Sequence, residues 1–397
     1  MNIAIFSNDF LPLFNGVVSY VLDVAEGLTK KGHKVILFVP RPKRGFKLNL
    51  REFPYRIIMV SSVPAMLYPD VRLTIPYLPR ILYFLKKYNI QIIHTMEPLT
   101  LGTEGIMAAK ILQLPIVITF HTFYMDEDML KHFRVGHRTR KAIKTPLWKL
   151  TAYYHNLADA VVCPSIVSQN ELERHGLKKS TVLINNGIDL KKIKTLTNQE
   201  KVSLREKFGI GKEAMTGLYS GRLSIDKSVD KLIFVWKKVV KENIGAVLVI
   251  IGDGPEKLKL MDLVRELNIE KNVLFLGVFP RNEIIKQSLY CLGDIFVTAS
   301  KIENQSISML EAMAHGLPIV GVNVRGTPEL ADSANSIIVE PDDIDGFSKA
   351  VIKLFNDEKL RKKLSVGSFK KAEVYNIDNT VKKLEALYRV LIKFKTV

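Results

Sequence analysis

The sequence has 397 residues, of which 47% are hydrophobic and 25% charged. Those proportions exclude a disordered, collagen-like or coiled-coil chain, and the length suffices for two domains with cores of their own. Lys and Arg number 58 against 40 Asp and Glu, a formal net charge of +18. This excess favours an anionic partner such as a nucleotide, a nucleic acid or an acidic membrane surface.

The first half of the chain alternates short apolar runs with stretches of helical spacing. The runs long enough to form strands are residues 3–6, 35–39, 91–94, 116–119, 160–163 and 181–184. A second series follows a lysine-rich stretch at 191–201. Its predicted strands are residues 215–220, 246–251, 273–276, 295–298, 318–322 and 337–339. Alternation of this kind predicts parallel, doubly wound sheets.

These two series predict an α/β chain of two Rossmann-like domains with parallel sheets that face each other across a cleft. The expected domains are residues 1–192 and 193–377, followed by a terminal helix at 378–397 that could pack on either domain. Ligands of open α/β sheets bind at the carboxyl ends of the strands. The residues that directly follow strands are therefore the candidates for a binding site.

Metal, redox and membrane-spanning functions find little support in the sequence. Cys163 and Cys291 both lie in apolar runs, which argues against a disulfide framework and a thiolate zinc site. No cluster of metal ligands is evident, so we expect no cofactor, with magnesium at most an aid. The sequence also lacks an apolar stretch of transmembrane length and a signal peptide pattern, which predicts a cytoplasmic protein.

Two carboxylates dominate the segment from 298 to 316. Glu303 lies in the loop after a predicted strand, and Glu311 lies on the helix that opens at about Gln305 or Ser306. A helix N-terminus can bind a phosphate, and carboxylates can accept hydrogen bonds from the hydroxyls of a sugar and a ribose. The alternative is that Glu303 only stabilises the helix dipole and that Glu311 is a surface residue.

This segment resembles the E-x7-E motif of the retaining family 4 glycosyltransferases, whose GT-B architecture has two facing Rossmann-like domains. The resemblance implies that Glu303 contacts the donor sugar and that Glu311 contacts the ribose of the nucleotide. It also implies that the residues directly after Glu303 bind the donor. These residues are Asn304, Gln305 and Ser306.

Two cations follow the first strand of the second domain. Arg222 and Lys227 lie in a strand-to-helix loop and could straddle a diphosphate; alternatively, both are solvated loop cations. Gly221, Arg222 and Lys227 resemble the family's G-R-x5-K pattern, with one residue fewer between the cations. By that resemblance the two cations stabilise the leaving nucleoside diphosphate. The resemblance also implies that the backbone around Val278 holds the nucleotide base.

The first domain contributes two candidates by the same resemblance. Gly16 precedes the first helix, where a backbone without a Cβ can approach a phosphate closely. His121 follows a strand, where the family often has a histidine beside the donor sugar; the alternative is a buried core histidine. The family retains the anomeric configuration, so the implied mechanism is front-face attack without a protein nucleophile. Its terminal helix usually crosses back onto the first domain.

A basic segment between residues 131 and 149 contains no acidic residue. Thr145 and Pro146 predict that a helix begins within it. Interleaved apolar residues favour docking on an acidic membrane surface over a merely solvated charged face. The predicted membrane or acceptor contacts are Lys131, Arg134, Arg138, Arg140, Lys141, Lys144 and Trp148.

Motifs along nearly the whole chain resemble, within this family, the bacterial diacylglycerol glucosyltransferases. They are Asn8 to Val17, Phe120 to Tyr124, Gly221 to Leu223 and Ser300 to Glu311. The resemblance implies transfer of a hexose, glucose above all, from a UDP-sugar to the 3-hydroxyl of diacylglycerol. The implied partners are the UDP-sugar, diacylglycerol and anionic lipids, and the implied location is the cytoplasmic face of the cell membrane.

Three other functions fit parts of the sequence. A glycosyltransferase with a cell-wall, polysaccharide or other lipid acceptor would share the donor motifs. A nucleic-acid-binding protein would fit the charge, but aromatic residues are not clustered as stacking platforms, so no nucleic-acid partner is expected. A nicotinamide dehydrogenase would need a glycine fingerprint after the first strand, where residues 7–16 contain a single glycine.

Overall fold

The chain forms two compact units in the computed structural model. The structure describes residues 1–13, 15–46, 48–65, 68–97, 99–126, 130 and 136–395. One unit comprises Met1–Gly187 with Ile377–Val397, and the other comprises Ile188–Asn376. The chain thus leaves the first unit after Gly187, a few residues before the predicted boundary at 192, and returns to it at Ile377.

The first unit is built mainly from alternating strands and helices. Up to residue 187 its elements are β1 (Asn2–Phe6), α1 (Gly16–Lys30), β2 (Lys34–Pro40), β3 (Arg56–Val60), β4 (Ser62–Ala65), β5 (Tyr68–Thr74), α2 (Leu78–Lys87), β6 (Ile92–Thr95), α3 (Thr100–Ile111), β7 (Ile116–Thr119), α4 (His137–His155), β8 (Ala160–Cys163), α5 (Ile166–Arg174) and β9 (Thr181–Leu183). The strands predicted in this half are all present, and each begins and ends within one residue of its prediction. Strand β3 and the antiparallel hairpin β4–β5 were not predicted.

The main sheet of this unit is parallel and has the strand order β3-β2-β1-β6-β7-β8-β9. Its central strand β1 is apolar on both faces, as a parallel strand covered by helices must be. Ile3 and Ile5 belong to the core beneath α1, and the Phe6 ring stacks on Phe38 of β2 with 4.5 Å between centroids. The strand order reverses between β1 and β6, which leaves a crevice at their carboxyl ends.

The second unit repeats this plan. Its elements are α6 (Asn198–Lys207), β10 (Thr216–Ser220), α7 (Val229–Glu242), β11 (Val247–Ile251), α8 (Lys257–Glu266), β12 (Val273–Gly277), α9 (Arg281–Lys286), β13 (Ile295–Thr298), α10 (Ile307–Ala314), β14 (Ile319–Val322), α11 (Thr327–Leu330), β15 (Ser336–Val339), α12 (Ile344–Asn356) and α13 (Glu358–Val374). The strand order is β12-β11-β10-β13-β14-β15, and it reverses between β10 and β13. The predicted class, two parallel-sheet Rossmann-like domains, is confirmed.

The last helix, α14 (Ile377–Lys395), packs on α1 of the first unit. Gly27 makes this packing close, because a Cβ there would lie 2.6 Å from a methyl group of Val381. Tyr388 is fully buried, and its hydroxyl lies 2.5 Å from Nδ1 of His94. The other ring nitrogen of His94 lies 2.7 Å from Oγ1 of Thr119. The terminal helix is therefore part of the core of this unit.

Burial lowers the pKa of several histidines in the first unit. Desolvation lowers the pKa of His94 to about 3, helped by neighbouring His121, and lowers that of His155 to about 4. These imidazoles stay neutral in the folded protein, whereas the unfolded chain binds protons once the pH falls below about 6.5. Their contribution to stability is therefore present at neutral pH and is lost progressively on acidification.

We predict that His155→Phe makes the unfolding free energy less sensitive to acid. The Phe ring would keep the contact with Phe120, whose centroid lies 5.5 Å from that of the imidazole, without a titrating group. The slope of unfolding free energy against pH between 6.5 and 4 should fall by about 1.4 kcal/mol per pH unit. Urea unfolding at several pH values measures this slope. Substitution of the exposed His137 by Gln serves as the control, and equal slopes in all three proteins would contradict the prediction.

Candidate active site

The candidate site residues of the second unit lie where its strand order reverses. Arg222 and Lys227 follow β10, and Glu303 follows β13, the strand paired directly with β10. The carboxyl ends of these two strands form the crevice in which open α/β sheets bind ligands. The topology therefore gathers residues that are about 75 positions apart in the sequence, as the ion pair between Lys227 and Glu303 also shows.

The loop after β10 rests on the turn after β11. Gly252 packs against the carbonyl of Gly221, and Gly254 packs against the backbone of Leu223, so closely that a Cβ at either glycine would collide. Hydrogen bonds join the same segments: the Leu223 amide donates to the Asp253 carbonyl over 2.9 Å. The turn that follows β11 is thus the support on which the backbone on either side of Arg222 is held.

Tyr219 supports the same loop from below. It is 2% exposed, and its hydroxyl donates to the carbonyl of Arg222 over 2.9 Å. Burial raises the pKa of this phenol well above its usual value, and the nearby carboxylates of Glu303 and Asp226 raise it further. The hydroxyl therefore remains a donor, and it fixes the backbone from which the Arg222 side chain extends.

Lys227 and Glu303 form an ion pair with each other. The Lys227 ammonium lies 2.7 Å from Oε1 of Glu303 and 3.8 Å from Oδ2 of Asp226. It also donates to the carbonyl of Ile302 over 3.4 Å. Both side chains keep some exposure, 23% for Lys227 and 15% for Glu303, so a ligand can reach them. Two complementary groups thus lie side by side. One is a cation that can bind an anion, and the other is a carboxylate that can accept hydrogen bonds from hydroxyls.

Helix α10 begins within the predicted segment. Ser306 is its N-cap, and the Ser306 hydroxyl accepts from the Met309 amide over 3.4 Å. The preceding Asn304 is 8% exposed, and the backbone of Gly326 presses on its carbonyl. The Gly326 amide donates to the carbonyl of Glu303 over 3.0 Å. A second loop, before α11, therefore holds Glu303 and the residues that lead into the helix, including the buried Gln305.

Glu311 is a buried residue, so the alternative of a surface position is wrong. It is 5% exposed on α10. Arg281 donates through Nε to its Oε1 over 2.5 Å, and the hydroxyl of Tyr290 donates to its Oε2 over 2.8 Å. Arg281 directly follows the segment of the exposed Val278. The sequence pointed to Val278 and Glu311, but it did not reveal that Arg281 and Tyr290 join them.

The candidates of the first unit lie at the carboxyl edge of its sheet. Gly16 is the first residue of α1 and is exposed. Asn15 caps this helix, accepting from the Val18 amide over 2.9 Å, and donates to Oδ2 of Asp9 over 2.6 Å. His121 follows β7, and burial lowers its pKa to about 3. It can therefore form hydrogen bonds as a neutral imidazole, but it does not supply a positive charge.

Glu97, at the carboxyl end of β6, is a buried acid that the sequence did not single out. It is 2% exposed and accepts from the hydroxyl of Thr122 over 3.3 Å. Desolvation, with the nearby charge of Asp9, raises its pKa to about 8. The carboxyl is thus protonated at neutral pH. Among the described residues, no group of three or more His, Cys, Asp or Glu side chains could hold a metal ion.

The basic segment contains a longer helix than predicted. Helix α4 begins at His137 rather than Thr145, and Pro146 lies inside it. Lys131 and Arg134 fall outside the residues that the structure describes. On α4 the side chains of Arg138, Lys141 and Lys149 are exposed, and those of Arg140 and Lys144 are half-buried. No helix in the described ranges is both long and apolar enough to cross a membrane.

Trp148 is a correction to the predicted surface contacts. Its side chain is 2% exposed, and its ring stacks on that of His175 with 4.2 Å between centroids. The rings of Phe120 and Phe123 also pack against it. Trp148 therefore anchors α4 to the unit. The large apolar side chains that this helix exposes include Leu150 and Tyr153, at 50% and 60% exposure.

We predict that Gly254→Ala destabilises the second unit, whereas Gly245→Ala does not. A Cβ at Gly254 collides with the backbone of Leu223, but one at Gly245 meets nothing within 4 Å. Overpacking of this kind should lower the unfolding free energy by about 1–3 kcal/mol, while the control should stay within about 0.5 kcal/mol of the parent. Chemical denaturation measures both variants. Equal stabilities would show that the turn after β11 does not support the Arg222 loop.

Comparisons with known proteins find relatives of both units. A family model described as Glycosyltransferase Family 4 matches residues 14–192, and one described as Glycosyl transferases group 1 matches residues 200–371. An alpha-monoglucosyldiacylglycerol synthase of Streptococcus pneumoniae is 30% identical over 83% of this chain and 72% of its own length. A GDP-mannose-dependent alpha-mannosyltransferase of Corynebacterium glutamicum is 27% identical over 86% of this chain and 77% of its own.

The structure of Anabaena HepE in complex with UDP-glucose matches the fold with a TM-score of 0.78 at 18% identity. The match covers 98% of this chain and 100% of that one. The GT-B fold class expected from the sequence is confirmed. The chain therefore belongs to the glycosyltransferases that join a Family 4 N-terminal domain to a group 1 C-terminal domain.

Proposed function

We propose that this glycosyltransferase transfers a hexose, glucose above all, from a UDP-sugar to the 3-hydroxyl of diacylglycerol at an acidic membrane surface. The observation that carries the proposal is the pairing of Lys227 with Glu303 beside the Arg222 loop, at the carboxyl ends of β10 and β13. A nucleotide-sugar donor has a diphosphate next to a polyhydroxyl ring. A protein that binds this donor therefore needs cations and, at an adjacent position, a group that accepts hydrogen bonds from hydroxyls.

The charges at this site support the binding of a nucleotide-sugar donor. The leaving diphosphate gains negative charge as the glycosidic bond breaks, and preorganised cations stabilise that charge. Arg222 offers a planar fork and Lys227 a point charge, both half-exposed on a loop held by backbone packing. Glu303 accepts from hydroxyls of the sugar while it keeps Lys227 in place.

The reaction that these residues support is front-face transfer with retention. A bond forms between the acceptor oxygen and the anomeric carbon, and the bond from that carbon to the diphosphate oxygen breaks. The proton of the acceptor hydroxyl passes to a departing phosphate oxygen, so that UDP and the glycoside are the products. No protein nucleophile is assigned. His121, in the first unit, is a neutral hydrogen-bonding group, consistent with its lowered pKa.

The choice of nucleotide and acceptor rests on the relatives. The Streptococcus pneumoniae protein is named a synthase of alpha-monoglucosyldiacylglycerol, and the HepE structure contains UDP-glucose. The Corynebacterium glutamicum relative is named for GDP-mannose, so the sugar and the base need a direct test. A soluble polysaccharide or cell-wall acceptor is the competing outcome.

Helix α4 supports a lipid acceptor. Exposed cations at Arg138, Lys141 and Lys149 share the helix with exposed Leu150 and Tyr153. Cations next to apolar side chains suit the headgroup region of an acidic bilayer, where each Lys or Arg contributes about 1 kcal/mol. This arrangement would bring the enzyme to the cytoplasmic face of the membrane as a peripheral protein, with no nucleic acid among its partners.

We predict that the protein forms a glycolipid from UDP-glucose and diacylglycerol in anionic vesicles. Arg222→Ala and Lys227→Ala should each lower kcat by about a hundredfold to a thousandfold, because each removes a cation from the departing diphosphate. Mass spectrometry of products from mixed UDP- and GDP-sugars identifies the donor. The control is Lys259→Ala, whose exposed ammonium pairs only with surface Glu256 among described residues. Failure of every lipid acceptor would remove the proposal.

We also predict that docking on membranes depends on α4. A triple variant with Gln at Arg138, Lys141 and Lys149 should bind anionic vesicles roughly a hundredfold more weakly, since three contributions of about 1 kcal/mol are removed. Flotation with phosphatidylglycerol vesicles measures binding, and high salt should weaken the parent protein similarly. The matched control places Gln at Lys359, Lys362 and Lys363, exposed cations of α13. If both triple variants lost the same affinity for anionic vesicles, α4 would not be the docking surface.

A further inference from the structure

We propose that Arg281 is a positioning residue that orients Glu311 for the ribose of the donor and thereby makes the site select ribonucleotides over deoxyribonucleotides. The inference rests on the proposed function, because it assumes a nucleoside diphosphate at this site. It assigns a role to a side chain that no sequence motif singled out.

The buried carboxylate of Glu311 has room for more hydrogen bonds than the two given by Arg281 and Tyr290. A carboxylate offers about four lone-pair positions. Among the described residues, two donors reach the Glu311 carboxylate: Nε of Arg281 on Oε1 and the hydroxyl of Tyr290 on Oε2. The remaining positions match the two hydroxyls of a ribose. Each oxygen is thus fixed by one protein donor and keeps capacity for one hydroxyl of the ligand.

The Glu311 carboxylate also needs a countercharge. The side chain of Glu311 is 6% exposed, and a buried carboxylate without a partner is costly. The guanidinium of Arg281, itself 19% exposed, supplies the opposite charge at hydrogen-bonding distance. Loss of this cation leaves the carboxylate without its countercharge and without the donor that sets its plane. Glu311 would then present its oxygens to a ribose in no fixed orientation.

Arg281 is also connected to the rest of the site. Arg281 is the first residue of α9 and follows the segment of Val278, where the base is expected. The Tyr290 ring stacks on that of His315 with 5.1 Å between centroids, and the Ser220 side chain at the end of β10 counteracts the rise in the pKa of the Tyr290 hydroxyl that burial causes. The chain of contacts from Arg281 through Glu311 and Tyr290 thus links the base segment to the end of β10, which Gly221 and Arg222 follow.

The test compares the affinities of UDP and 2′-deoxyuridine diphosphate, measured by titration calorimetry on the full-length protein. The parent protein should prefer UDP by about tenfold or more, because a site built to bond a hydroxyl rejects the analogue that lacks it. Arg281→Gln should bring this ratio close to one, and so should Glu311→Gln. The double variant should lose no more than either single variant, since both remove one interaction.

Two further proteins make the result decisive. Tyr290→Phe keeps the stacked ring and removes only the hydroxyl, so it should lower the ratio even where Arg281→Gln folds poorly. Arg265→Gln changes an arginine that forms an ion pair with the exposed Asp262 in the same unit, and it should leave the ratio unchanged. A purely structural role of Arg281 would weaken both nucleotides equally and keep the ratio at its parent value, which would overturn the inference.

Failure of the inference is distinct from failure of the proposed donor. If the parent protein binds GDP rather than UDP, the proposed UDP-sugar falls, and the same ratio measured with GDP and 2′-deoxyguanosine diphosphate tests Arg281. If UDP binds and supports transfer but every variant keeps the parent ratio, only the role of Arg281 falls. If neither nucleoside diphosphate binds, both proposals are overturned.

Discussion

Close packing of backbone on backbone is the constraint on which the candidate site depends. The loops that carry Arg222 and Glu303 have little regular structure of their own. Each is held instead by a neighbouring glycine: Gly252 against Gly221, and Gly326 against Asn304. A loop supported in this way can hold a cation or a carboxylate in place before any ligand arrives, and preorganised charges cost little reorganisation when the reaction begins.

On this support, oppositely charged side chains pair with one another. Lys227 pairs with Glu303, and Arg281 pairs with Glu311. The first pair joins the loop after β10 to the loop after β13, and the second joins the start of α9 to α10. The ligand proposed here carries both phosphates and hydroxyls, so it can engage the cation and the carboxylate of a pair together. In the Lys227–Glu303 pair both side chains keep some exposure, whereas Glu311 is buried against Arg281.

Much of this organisation follows from local sequence patterns. Buried parallel strands are continuous apolar runs, so strands such as β7 and β13 were predicted with their observed bounds. Strand β3 was missed because it is a half-exposed edge strand in which Arg56 begins an otherwise apolar run. Trp148 was misassigned because basic neighbours in sequence do not reveal that its ring faces the core. Arg281 and Tyr290 were missed because their partner lies 21 or more residues away.

The crossing of α14 back to the first unit also determines how the protein can be divided. The second unit is one uninterrupted stretch, Ile188–Asn376, whereas the first is assembled from two pieces. Gly187 and Ile377 meet closely, since a Cβ on the glycine would lie 2.6 Å from the Ile377 Cα. A gene that fuses residue 187 directly to residue 377 would therefore encode the first unit with its core complete, and the excised segment would encode the other.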